Sequence, residues 1–143
     1  MCSISGINFR SEKIIKKMNE SQQHRAPDES GYILKENFSF GMGRLKIIDL
    51  VSSNLCPFQE DGYILCYNGE IYNYLELRKE LKTKWKFKTN SDTEVLLKAY
   101  REWGDKMFSK LNGMFAFCIF DPKKNKIILA RDISGEKPLY YYK

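Results

Sequence analysis

The chain has 143 residues, 43% hydrophobic and 14% aromatic, which is the size of one ordinary domain able to bury a core. Its 24 Lys and Arg against 18 Asp and Glu give a formal charge of +6, but the lysines are scattered in small groups (Lys13, Lys16, Lys17; Lys82, Lys84, Lys86, Lys88; Lys123, Lys124, Lys126) among acids on solvated faces, which argues against nucleic acid as a partner. Cys2, Cys56, Cys66 and Cys118 form no C-x-x-C pair, His24 is the sole histidine, and no signal peptide or run of 18 apolar residues is present; the expectation is a cytoplasmic chain with free thiols, without zinc and without a membrane span.

Ile4 to Phe9 reads as a strand, and Ser11 then caps a helix in which Ile14, Ile15 and Met18 recur at helical spacing. The polar residues Gln22 and Gln23 end it. After the His24 to Asp28 loop, Gly31 to Leu34 and Phe38 to Leu45 flank Lys35-Glu36-Asn37 in a hairpin pattern. Tyr63 to Tyr67 reads as a strand ending in a turn at Asn68-Gly69. An amphipathic helix follows with Tyr74, Leu77 and Leu81. Ser91-x-x-Glu94 has the form of a capping box opening a helix through Val95, Leu96, Ala99 and Trp103 that closes at Gly104. Three strands complete the chain, Met114 to Phe120, Ile127 to Ala130 and Leu139 to Tyr142, the first two joined by the polar turn from Asp121 to Asn125. Strands outnumber crossovers and come in blocks, so the expected class is α+β with antiparallel sheets covered by helices.

The opening Met1-Cys2 carries the chemistry. Removal of Met1 leaves one residue with both a thiol and a free α-amine. An ordinary thiol, with a pKa of about 8.5, is only slightly ionised at neutral pH and needs a base beside it. An α-amine, with a pKa of about 7.7 to 8.0, suits that task. The bland alternative is that Cys2 is a small buried hydrophobe at the start of a strand.

Several further motifs stand in order: His24-Arg25-Ala26-Pro27-Asp28-Glu29-Ser30-Gly31, Arg44 to Leu50, Asn68-Gly69-Glu70-Ile71-Tyr72-Asn73, Ser91-Asp92-Thr93-Glu94, Gly113 to Phe117, and Arg131-Asp132 to Lys137-Pro138-Leu139-Tyr140. Together with Met1-Cys2 they resemble, over the whole length, the N-terminal glutaminase domain of glutamine-hydrolysing asparagine synthetases, a class II glutamine amidotransferase. The resemblance implies an N-terminal-nucleophile hydrolase fold, an αββα sandwich of two antiparallel sheets between helical layers, and hydrolysis of L-glutamine to glutamate and ammonia through a Cys2 thioester.

By matching positions, the resemblance implies that Arg44 binds the glutamine α-carboxylate, its guanidinium fork suiting two oxygens, with Ile47 and Ile48 as further substrate contacts. Glu70 and Asp92 would hold the α-ammonium group, while Asn68 and Gly69 would form the oxyanion hole. Taken singly, Asn68-Gly69 also reads as a hairpin turn, Asp92 as an acid in a first helical turn, and Arg44 as a strand-edge charge. His24 is not expected to act as a base, because the amine supplies one.

Two positions depart from the family pattern, Ser3 and Ala26, each standing where the family reads Gly. Each side chain costs on the order of 1 kcal/mol if its position requires φ > 0. A larger departure is length. The family domain continues beyond the Lys-Pro-Leu-Tyr motif and is followed by an ATP-dependent synthetase domain, so residues 1–143 are expected to be a glutaminase domain incomplete at its C-terminus. It would expose sheet edges and an apolar face beside Phe115, Phe117 and the terminal tyrosines, and so self-associate. No cofactor is expected in these residues, because ATP and Mg would belong to the synthetase domain or subunit that is the implied partner. The competing readings are a non-catalytic glutaminase-like module and the glutaminase half of a sugar-modifying amidotransferase.

Overall fold

The computed structural model describes residues 2–53 and 55–143. β1 (Ser3–Ile7), β2 (Glu29–Leu34) and β3 (Ser39–Arg44) form one sheet in the order β1-β3-β2. A second holds β4 (Phe58–Glu60), β5 (Tyr63–Ile71), β6 (Gly113–Asp121) and β7 (Lys126–Arg131) in sequence order. Every pairing is antiparallel. Helix α1 (Glu12–Ser21) lies against the first sheet, α3 (Asp92–Trp103) against β5, and α2 (Tyr74–Leu81) against α3, while β1 and β3 pack on β5. The order of layers is helix, sheet, sheet, helix, the expected α+β sandwich.

Local chemistry accounts for most element ends. The Ser11 hydroxyl accepts the Ile14 N–H at 3.3 Å and starts α1, which buries Ile15 completely. The β2–β3 loop is closed by Lys35 N–H donating to the Phe38 carbonyl at 2.9 Å. Gly104, with φ of 55°, ends α3. Strand β4 was not foreseen, although Asp61-Gly62 joins it to β5 as a two-residue turn with both φ values positive, 50° and 82°.

Four expectations need correction. Asn68 and Gly69 do not turn: β5 runs straight through them, pairing Asn68 with Ala116 and Gly69 with Phe115. The glycine answers to close packing, since a Cβ there would sit 2.2 Å from the Met114 carbonyl oxygen. Leu139 to Tyr142 forms no strand; Tyr140, Tyr141 and Tyr142 are exposed and paired with no strand among the described residues, and aromatic β-propensity acts only through such neighbours. Phe115 and Phe117 are buried rather than bordering a bare face, Phe117 lying parallel to Phe108 at 6.2 Å.

The fourth correction concerns the capping box, of which only half forms. Ser91 Oγ accepts the Thr93 N–H at 3.1 Å, but the Glu94 carboxylate turns to the preceding segment. There it accepts from Lys88 N at 3.0 Å, Thr89 N at 2.7 Å and Thr89 Oγ1 at 2.8 Å. Lys98, 2% exposed, bridges Glu94 at 3.2 Å and Glu60 at 2.7 Å, and Arg101 reaches Glu60 at 2.6 Å. These charges tie β4 and the segment before α3 to the helix itself.

Removing one partner of such a buried network leaves the others uncompensated. Lys98→Met is expected to cost about 3 to 5 kcal/mol of unfolding free energy in urea titrations. Lys126→Met, at a half-exposed site, should stay within about 0.5 kcal/mol of wild type.

Candidate active site

One cleft opens where the ends of the two sheets meet the start of α3, enclosing about 540 Å³ of empty space with its open mouth included. Cys2 precedes β1; Met42 and Arg44 end β3; Leu45, Ile47 and Ile48 come from the loop that follows; Tyr67, Asn68, Gly69 and Glu70 line β5; Ser91, Asp92 and Thr93 start α3; Met114 and Lys137 complete the wall. Every site residue expected from the sequence lies on this one surface. The exposed His24, in a 3-10 turn over Gln23–Arg25, is not on it.

Cys2 is half-buried, its Sγ 3.8 Å from the Leu45 carbonyl. Burial raises its pKa above the ordinary thiol value, so the thiol is not self-activated and a proton acceptor is still required. Met1, whose removal would expose the α-amine, lies outside the described residues. The other thiols are more deeply placed. Burial pushes Cys56 up to about 12, and Cys118 likewise to about 12, while the fully buried Cys66 is raised well above the usual range.

Among the described residues nothing bonds the Gly69 backbone N–H, because of how its strand partner is used. Phe115 donates its N–H to Asp132 Oδ2 at 3.1 Å and accepts from Asp132 N at 2.8 Å, so both of its ladder groups point toward β7. Gly69 and Phe115 are therefore a non-hydrogen-bonded pair, and Gly69 N–H points to the opposite edge of β5. There β4 pairs only as far as Leu65. Next to it, the Asn68 side-chain amide, 7% exposed, has no hydrogen bond to any described residue. The Glu70 carboxylate is likewise free of hydrogen bonds among the described residues.

Asp92 and Arg44 are in the opposite condition. Asp92 Oδ2 accepts from Tyr67 OH at 2.8 Å and from Ile71 N at 3.1 Å, and the carboxyl is 5% exposed. Burial foremost, with Glu70 as a neighbouring like charge, raises its pKa, although hydrogen bonds from Tyr67, Ile71 and Thr93 oppose this. Arg44, 4% exposed, donates through Nη1 to Glu29 at 3.4 Å and Ser52 O at 3.2 Å, and through Nη2 to Ile48 O at 3.0 Å and Asp49 O at 2.9 Å. A guanidinium has about five N–H donors. The two-pronged grip expected of it is thus engaged by its own loop, and Nε–H is the donor left over.

Tyr67 and Lys137 were not foreseen as site residues. Tyr67 gave no signal beyond adjacency to Asn68, but Lys137 stood in a motif already conspicuous in the sequence. Asp132 accepts backbone N–H groups from Phe115, from Glu136 at 2.8 Å and from Lys137 at 3.0 Å, which folds the turn that brings the buried Lys137 to the cleft. Ser3 and Ala26 meet at Gly43, where a Cβ would lie 2.7 Å from Ser3 Oγ and 2.6 Å from Ala26 Cβ. Neither has a positive φ, that of Ala26 being −140°, so the extra carbons carry no backbone strain.

No helix among the described residues is long and apolar enough to cross a membrane. The family model described as "Glutamine amidotransferase domain" matches residues 1–143. The chain is 47% identical over 132 residues to asparagine synthetase [glutamine-hydrolyzing] 1 of Bacillus subtilis, covering 91% of this chain and 21% of that protein. It is 41% identical to putative asparagine synthetase [glutamine-hydrolyzing] 2 of Methanocaldococcus jannaschii, covering 99% and 32%, and 38% identical to asparagine synthetase [glutamine-hydrolyzing] 3 of B. subtilis, covering 100% and 25%. The chain thus spans between 21% and 32% of the length of these relatives. With the family model matched from end to end around a cleft holding Cys2, Asn68 and Gly69, the chain belongs to the glutamine amidotransferase domain family.

Proposed function

We propose that this chain hydrolyses L-glutamine to glutamate and ammonia through a thioester on Cys2, and that the ammonia serves an asparagine-synthetase-type amidation. The observation that carries this reading is a pair of donors uncommitted among the described residues, Asn68 amide and Gly69 N–H, in the same cleft as Cys2, the one cysteine of the four that is not buried.

In this mechanism the α-amine of Cys2, freed by loss of Met1, takes the Sγ proton. Sγ then attacks the γ-carboxamide carbon, and the electron pair displaced onto the carbonyl oxygen is received by Asn68 and Gly69. Collapse of the tetrahedral adduct breaks the C–N bond. The ammonium formed at Cys2 returns its proton, and ammonia leaves. Water then attacks the thioester carbon by the same route, releasing glutamate and restoring the thiol.

The free ends of glutamine meet opposite charges. Glu70 offers an open carboxylate to the α-ammonium group, and Asp92, held in place by Tyr67 and Ile71, adds a second negative charge beside it. Arg44 meets the α-carboxylate through Nε–H and its net charge, and Ile47 and Ile48 supply the flanking wall. The partner is an ATP-dependent synthetase domain or subunit, where ATP and Mg would act. Self-association is supported by the edge of β7 that no described strand pairs, where Ile127 and Leu129 are exposed.

Cys2→Ala should abolish ammonia release from glutamine, and a glutamine-like electrophile should label Cys2 in mass spectrometry; labelling of Cys56, Cys66 or Cys118 instead would overturn the assignment. Asn68→Ala is expected to lower kcat by about 10² to 10³ with a small change in KM. A change confined to KM would remove Asn68 from the oxyanion hole.

The raised pKa of Asp92 gives glutamine binding a pH dependence. Protonation removes the charge that faces the ammonium group, so affinity of the non-reacting Cys2→Ala variant should fall as pH drops through a value above the ordinary Asp range. Glu70 helps to hold that pKa up as a like charge. In Cys2→Ala/Glu70→Gln the calorimetric binding midpoint should therefore move to lower pH, and a move upward would contradict the Glu70–Asp92 coupling.

A further inference from the structure

The loop over residues 45–53 forms the wall of the cleft that faces α3, with Leu45 and Ile48 half-buried and its other apolar side chains left outside. Ile47 is 64% exposed, Leu50 65% and Val51 93%. Burial of such side chains normally fixes a loop through transfer free energy, and these three contribute little of it. Polar clasps set its position instead. From beneath, Arg44 binds the carbonyls of Ile48, Asp49 and Ser52.

The second clasp joins the loop to the segment before α3. Asp49 has φ of 59°, a left-handed conformation in which a short polar side chain can bond its own backbone surroundings. Its Oδ1 accepts from Ser52 N at 2.9 Å, and its Oδ2 accepts from Ser52 Oγ at 2.6 Å and from Asn90 N at 2.7 Å. Asn90 lies 41 residues away in sequence and immediately precedes Ser91 and Asp92, both in the cleft wall. Burial works to raise the Asp49 carboxyl, but the bonds from Ser52, Asn90 and Val51 outweigh it and hold the pKa down at about 2. The carboxylate is therefore charged wherever the protein is folded at ordinary pH.

We propose that Asp49 is a positioning residue for glutamine, tying the loop that carries Ile47 and Ile48 to the start of α3 so that the Arg44 side of the cleft stands at a fixed distance from Asp92. This rests on the glutaminase reading for its ligand, but the tie itself is a property of the unliganded chain. A cleft already set at the right width orders less on binding, so Asp49 contributes to ground-state affinity and leaves the chemistry at Cys2 untouched.

Asp49→Gly removes the carboxylate while keeping a residue at ease with positive φ, and Asp49→Asn keeps one acceptor and turns a donor toward the Asn90 N–H. In both, KM for glutamine should rise about tenfold while kcat stays within about threefold, the pattern of lost uniform binding. Amide hydrogen exchange of the free protein should accelerate at Asn90 in both variants, and at Ser52 as well in Asp49→Gly, with thermal melting still cooperative. Unchanged exchange at Asn90 overturns the tie without reference to catalysis. Faster exchange with unchanged KM, or a kcat that falls as far as kcat/KM, overturns the positioning role. An inactive wild type would instead count against the glutaminase reading, while the exchange result would still decide the tie.

Discussion

A backbone N–H in the middle of a sheet is ordinarily committed to its neighbour, and the cleft is built around one that no described residue pairs. Gly69 sits within β5, yet the N–H and carbonyl of Phe115 opposite are both bonded to Asp132, so the ladder leaves Gly69 N–H on the edge of β5 away from β6, in a residue that lines the cleft. The short β4 stops at Leu65 and does not cover it. Asp132 is thus distant from the thiol in role but close to the cause: its carboxylate and its own backbone fix the register alternation that opens a donor beside Asn68. The approach between Gly69 and the β6 backbone leaves no room for a Cβ, so this arrangement excludes every side chain at that position.

Around that opening the polar groups divide into those already satisfied and those left open. Asp92 and Arg44 are buried and bonded to the protein, Asp92 through Tyr67 and Ile71, Arg44 through the carbonyls of its loop. Buried charges without such partners would be costly. The side chains of Asn68 and Glu70 carry no hydrogen bond to the described residues. The satisfied groups give the cleft its shape and charge, and the open ones are free to exchange water for a ligand.

The same logic reaches outward from the site. The segment before α3 is held by Glu94, Lys98 and Glu60 on one side and by Asp49 on the other, so the N-terminus of α3 is approached by two independent polar ties. The cysteines follow a parallel division. Cys56, Cys66 and Cys118 are enclosed and their thiols pushed toward the neutral form, which leaves Cys2 as the thiol with access to the cleft.

The sequence by itself determined the element types and which candidate residues come together: hydrophobic periodicity located α1, α2, α3 and most strands within a few residues, and the candidate site residues taken from the ordered motifs all fall on one cleft. These signals are local, because helix period, N-cap hydroxyls and glycine stops act over a single turn or strand. Only the tertiary structure decided what depends on distant partners. Asn68-Gly69 has the composition of a turn, but pairing with β6 makes it strand. Leu139 to Tyr142 has the composition of a strand, but no described strand pairs with it. Ser91-x-x-Glu94 has the form of a reciprocal cap, but a buried Lys98 and the free N–H groups of Lys88 and Thr89 compete more strongly for the Glu94 carboxylate. Arg44 has the right charge for a carboxylate, but its loop takes up the guanidinium first. In each case the residue type fixes what bonds are available, and the fold fixes which partner arrives.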